Sequence, residues 1–374
     1  MNSIEPNLGE VNWDHVDKLF EYGVQSCMKV DPKEMPVMMA DNHCGLCSKI
    51  QEEYKEKIAE LLFEKHSSPA MFAAPSGMLS GFSAGRPTTL VIDLGARETR
   101  IIPVVDGFVL RNAVLTTNRG GNWLDKKVLE EVVKSTGQPK LWFEKTDSGP
   151  LVDVTESFRR IHTMDIIKDI KKWMCFVPRN PLSPELLEQM RMPAYELPDG
   201  TSVDPKVEIC ASPEALFINT KIGNPIVKLE DGGSSESVND SSVKIVLPGF
   251  NPDFPAHLQI SEIKRDEDTL QDMILAAISK CDIDVRKDLV GNMVIVGGGS
   301  AVDGLINRIT KEMTSMLPLS FKVKPVSQLP VERQYASWIG GSILGICGSF
   351  QQLWLSRAEY EEYGPSLVRK KFTH

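Results

Sequence analysis

Three β-rich runs, Thr88–Asp93, Thr99–Val105 and Phe108–Val114, follow one another with only short turns between them. The second turn carries Asp106-Gly107, a dipeptide suited to a tight hairpin because glycine accepts positive φ without a steric cost. Runs this close have no room for a crossover, so they pair antiparallel as a meander. The rest of the chain has to pack around that sheet.

There is enough chain to do so. At 374 residues, length suggests two or more lobes, and 41% hydrophobic with 25% charged residues is a globular balance. A formal net charge of −9 gives no general attraction to DNA or acidic lipid, so any work on chromatin would go through other proteins. No run reaches the roughly 18 apolar residues of a membrane span, and the amino terminus lacks a basic start before an apolar run, so no signal peptide is expected. Seven cysteines, an odd number scattered over the chain, read as reduced thiols of a reducing compartment.

Upstream of the meander, Asn12-Trp13-Asp14 precedes Val16, Leu19, Phe20 and Val24 at helical spacing, with Asn12 or Asp14 as cap. Pro36–Met39 reads as a short buried strand, residues 49 to 65 as a helix, and the stretch after Pro69 as strand then helix. Downstream, residues 122 to 228 alternate helices and loops, with Ile166–Val177 strongly helical and Tyr195–Gly200 strand then turn. The polar, acidic stretch from Leu229 to Ser242 reads as a flexible surface insertion. Order resumes with a helix over 270–280, a strand over 292–296, glycines 297–299, a helix from Val302 to Met316, the run Trp338–Leu344, and a final helix near Ser356–Tyr363.

Two glycine turns could carry chemistry. In Leu90–Gly95 an apolar strand ends in Asp93, and Gly95 follows at the turn, where backbone amides can face phosphate and the carboxylate a hydrated Mg²⁺. Gly297-Gly298-Gly299 lies between a strand and a helix, yet lacks the spacing of either common nucleotide loop. His43, Cys44 and Cys47 offer three zinc ligands, but no second Cys/His pair completes the set. The six histidines form no cluster, so neither a metal site nor a catalytic residue is expected. Cys347, among apolar neighbours, reads as core rather than nucleophile.

Taken in order, these turns and a set of landmarks resemble the actin family. The landmarks are Asn12-Trp13-Asp14, Pro36-Val37, Glu60–Phe63, Pro69-Ala70-Met71, Cys281–Arg286, Trp338–Leu344 and Gly364-Pro365-Ser366. The resemblance covers nearly the whole chain and implies an α/β, RNase-H-type fold in two lobes with a nucleotide and a divalent cation between them. It also implies an amino-terminally incomplete fold, because the chain starts about where the first phosphate loop and second subdomain would have ended. On this reading residues 1–84 and 337–374 form a partial subdomain 1, residues 85–119 and 268–336 subdomain 3, and residues 120–267 subdomain 4.

By the same resemblance Asp93 and Gly95 match the second phosphate loop, Gly121 a glycine near the ribose, Lys171 an adenine-side lysine, and Gly297-Gly298 the adenosine turn. Ala96 replaces a second aspartate, Ser76 the glutamine that positions attacking water, Arg100 a histidine, Lys172 a ribose-side glutamate and Gln334 a second lysine. With the first phosphate loop missing, ATP with Mg²⁺ is expected to be held weakly or not at all, and because a serine cannot reach as a glutamine does, hydrolysis is not expected. Phe82, Ile339, Ile343, Leu344, Cys347 and Leu353 match an apolar groove that in relatives takes amphipathic helices. Ala96, Val331-Glu332-Arg333, Tyr360–Tyr363 and the acidic insertion are most similar to the class-four nuclear members. That implies a non-catalytic subunit of chromatin-remodelling or histone-acetyltransferase complexes, located in the nucleus with some in the cytoplasm. Its implied partners are actin, a helix of the motor ATPase and other subunits; no membrane and no sequence-specific nucleic acid are implied. The alternatives are a divergent cytoskeletal ATPase or filament subunit, and a fragment without independent function.

Overall fold

The computed structural model describes residues 12–42, 48–136, 155–180, 182–197, 200–218 and 269–372. The acidic insertion and His43, Cys44 and Cys47 lie outside the described residues.

The first unit begins at α1 (Trp13–Glu21), whose cap is Asn12: its side chain accepts from the His15 amide. A π-helical stretch, Tyr22–Met28, follows and ends at Lys29 in the left-handed region. Next come β1 (Val37–Asp41), α2 (Ser48–Glu60), a second π-helical turn (Leu61–Lys65), β2 (Ala70–Pro75) and α3 (Ser76–Ser83). β1 pairs parallel with β2 and forms one edge of a sheet completed by β10 (Leu355–Ser356). The expected buried strand is therefore only half-buried, since an edge strand is covered on fewer sides. A core of Leu62, Phe63, Met71, Leu355, Val368 and Phe372 closes this unit with α13 (Arg357–Tyr363) and α14 (Ser366–Lys371). Ser356 and Glu359 form a capping box at the start of α13.

α1 is tied to the end of the second π-helical turn at Asp17. His66 Nε2 lies 2.8 Å from Asp17 Oδ1, Lys65 also contacts that carboxylate, and Phe20 packs on the imidazole. Burial pushes the Asp17 carboxyl up, but the hydrogen bonds and charges of Lys65 and His66 outweigh it and hold it below the usual carboxylate range. A depressed folded-state pKa stabilises above the unfolded value, near 3.9, and that stability is lost as pH falls through the folded value. Denaturant unfolding at pH 7 and pH 3 should therefore show a larger drop for the wild type than for Asp17→Asn. Equal drops would exclude Asp17 as a source of acid sensitivity.

The meander forms the second sheet. β3 (Thr89–Leu94) and β4 (Thr99–Val105) pair over six positions, and Asp106 and Gly107, both at positive φ, lead into β5 (Phe108–Val109). The third strand is not continuous. It breaks at a 3₁₀ turn, Arg111–Ala113, and returns to β4 as β6 (Leu115–Thr117). Pro103 explains the break: its carbonyl accepts from Leu110, so its missing N–H falls on the same side, where the ladder would need a donor. On the other side β9 (Met293–Val296) adds parallel to β3.

α8 (Leu270–Ser279), α9 (Ile283–Gly291) and α10 (Leu305–Met316) enclose this sheet in the largest core, around Ile92, Ile101, Met273, Ile295 and Ile309. α10 starts at Leu305 rather than Val302, because Gly304 adopts a left-handed conformation at its cap. α4 (Gly121–Thr136), α5 (Glu156–Met174), α6 (Pro184–Met190), the hairpin β7 (Tyr195–Glu196) and β8 (Ser202–Val203), and α7 (Val207–Cys210) bury a third core around Val128, Ile170 and Val203. α11 (Pro330–Gln334) and α12 (Ala336–Ile346) return the chain to the first unit, where α12 packs on α3.

Candidate functional site

Because β3 and β9 run parallel, in register from Leu90↔Met293 to Asp93↔Val296, the turns that leave them are neighbours. That brings Asp93, Gly95, Gly297 and Gly298 together. Gly297 has φ 86 and donates its N–H to the Arg333 carbonyl at 2.9 Å. A Cβ there would stand 2.4 Å from Leu94 O and 2.8 Å from Asp93 Oδ1, so only glycine fits. Gly298 instead faces open space.

The polar groups of this cleft are turned on one another. Asp93 Oδ2 meets Arg100 Nη2 at 2.7 Å, and Arg100 Nε lies 3.6 Å from Glu98 Oε1. Arg100 Nη1 also donates to the Asn42 carbonyl at the end of β1. The Gly95 amide is used within its own turn, donating to Glu98 O at 3.0 Å. The first amides of α4 close that turn from outside, Gly121 N–H on Gly95 O at 2.9 Å and Asn122 N–H on Ala96 O at 2.7 Å. Lys171 does reach Gly121, with Nζ 3.4 Å from its carbonyl, but Nζ is also 2.5 Å from Oδ1 of buried Asp125. Asp93 and Lys171 thus each have an ionic partner inside the chain. Lys172 and Gln334 are exposed.

Ser76 opens α3 with its Oγ buried and without a hydrogen-bond partner. Ser337 Oγ lies 3.4 Å from Ser76 O and 3.2 Å from Ser80 Oγ, so three serines gather where α3 meets α12. Among the described residues no three His, Cys, Asp or Glu side chains could hold a metal ion.

Four of the expected groove residues, Ile339, Ile343, Leu344 and Cys347, lie on α12 or at its end. Ile343 is 43% and Leu353 51% exposed, and the Phe82 ring lies by the Gly107 turn. Cys347 is exposed too, which corrects the expectation of a core thiol; it caps the free end of α12, and its Sγ meets Ile343 O at 3.4 Å. Sequence reasoning missed the adjoining hollow of about 490 Å³ lined by Val331, Glu332, Tyr335, Trp338 and Ile339. Trp338 stands 75% exposed beside it.

Comparison with known proteins agrees with this architecture. The family model described as Actin matches residues 10–373. Actin-related protein 4 of Arabidopsis thaliana is 32% identical over 373 residues, spanning 96% of this chain and 77% of that protein. Actin-related protein 4 of Oryza sativa subsp. japonica is 31% identical, over 96% of this chain and 76% of its own. The Mycosarcoma maydis protein of the same name is 31% identical over 376 residues, covering 95% and 69%.

Proposed function

The chain belongs to the actin family, and on that premise we propose that it is a non-catalytic scaffold subunit of a nuclear chromatin-remodelling or histone-acetyltransferase complex. It would sit with actin on one helix of the motor ATPase, and among other subunits. One contrast supports this reading. The side chains that would meet a nucleotide are engaged inside the chain, whereas large apolar side chains of α12 stand in solvent. An amphipathic helix is the partner such a surface suits, and the resemblance to class-four members supplies the nuclear setting. ATP with Mg²⁺ is held weakly or not at all, and Ser76 gives attacking water no positioning group.

The full chain should recover both actin and the motor ATPase in a pull-down, and recovery of neither overturns the reading. Ile343→Arg should lower recovery of the ATPase helix on the order of tenfold, as expected for loss of an apolar anchor, with unchanged thermal unfolding. Phosphate release above background that disappears in Asp93→Ala would make the chain a divergent ATPase instead.

A further inference from the structure

We propose that Arg100 is a built-in cation: its guanidinium occupies the place at Asp93 where a metal-bound nucleotide would act, and it fastens the two sheets together without a ligand. The inference rests on reading the cleft as a degenerate nucleotide site and does not depend on the partners.

The first support is charge. Asp93 and Arg100 face each other across the β3–β4 ladder, so the pair is set by strand register rather than by a mobile side chain finding a neighbour. Arg100 is only 7% exposed and Asp93 16%, and the 2.7 Å contact is a charge-assisted hydrogen bond. The other oxygen, Oδ1, faces Gly297 across the space a Cβ would fill. A Mg²⁺ ion needs ligands at about 2.1 Å and keeps several waters. The guanidinium already engages one oxygen and the glycine turn lies against the other, which crowds such a shell. A second cation would also meet the repulsion of the first.

The second support is connection. Arg100 donates hydrogen bonds to Asp93 on β3 and to the Asn42 carbonyl at the end of β1, and Glu98 in the following turn adds an ion-pair contact at 3.6 Å. β1 belongs to the first sheet, and β3 and β4 to the second. The guanidinium is thus a strut between sheets, a task for its planar fork that a lysine ammonium cannot copy.

The test uses the full chain, with thermal unfolding and amide exchange over residues 37–42, each with and without MgCl₂ and ATP. The wild type should show no melting shift with Mg²⁺·ATP. Arg100→Gln should exchange faster over 37–42, on the order of tenfold for one lost charged hydrogen bond, and should gain a Mg²⁺-dependent rise in melting temperature. Arg100→Lys should lose the exchange protection but remain indifferent to Mg²⁺. A wild-type shift as large as that of Arg100→Gln, or unchanged exchange in both variants, overturns the proposal. Should Arg100→Gln not fold, Asp93→Asn combined with Arg100→Gln removes both charges and is read by exchange over 37–42 alone: faster exchange supports the strut and unchanged exchange overturns it. Pull-down of actin by the wild type is scored separately, so failure of the strut and failure of the partner reading are distinguishable.

Discussion

Gly340→Ala should destabilise the chain by about 3 kcal/mol or more, a large overpacking cost for one methyl group. A Cβ at Gly340 would stand 1.8 Å from the Leu79 carbonyl oxygen, and the other atoms nearest to it are also Leu79 backbone. No rotamer change relieves that overlap, because neither partner is a side chain. In a free helix the same substitution would favour folding by about 1 kcal/mol, so the sign of the result separates packing from propensity. α12 would have to lift from α3, taking Ala336 out of the core with it. A urea midpoint that falls at unchanged slope is the expected result; an equal or raised midpoint would mean the helices are not packed this closely.

That close approach also explains which parts of α12 could be read from sequence. Its buried positions are Ala336 and Gly340, since only small residues fit against α3. Of the bulky apolar residues, Trp338 and Ile346 face outward at 75% and 81% exposed, while Ile339 and Leu344 are half-buried. A run rich in apolar residues reads as core when composition is all there is, which is why Cys347 reads as core from its neighbours, whereas the family resemblance puts both Cys347 and Ile343 on a surface groove. Local signals fared better. Asn12 as a cap and Asp106-Gly107 as a hairpin act within a few residues of themselves.

The candidate site divides along the same line. Asp93 and Arg100 are equidistant from the centre of the turn between them, so their pairing could have been derived from the hairpin alone. Lys171 with Asp125 could not, because α4 and α5 are separated by residues 137–155 and meet only in the packed structure. Nor could the Asn42 contact, which joins two sheets. Charge pairs within one hairpin follow from register, whereas pairs between elements follow from topology.

Arg308 is a pair of the second kind, and Arg308→Met should cost about 3 kcal/mol, the low end for a broken buried pair because the site is not fully closed. From α10 its Nη1 reaches Glu214 Oε1 at 2.8 Å and Pro178 O at 3.0 Å, while Nε reaches Glu312 Oε1 at 2.6 Å. Its guanidinium also lies over the Phe217 ring. Burial lowers the Arg308 pKa, but the two carboxylates outweigh that and raise it, so the charge is held at every working pH. Methionine keeps much of the volume but leaves Glu214, whose side chain is 9% exposed, without its cation. The loss should therefore come mainly from the stranded carboxylate and not from the lost attraction. Arg308→Met with Glu214→Gln decides between the two: if stranding dominates, the double variant regains most of the stability. If the double variant is as unstable as the single one, Arg308 contributes through its carbonyl and ring contacts instead.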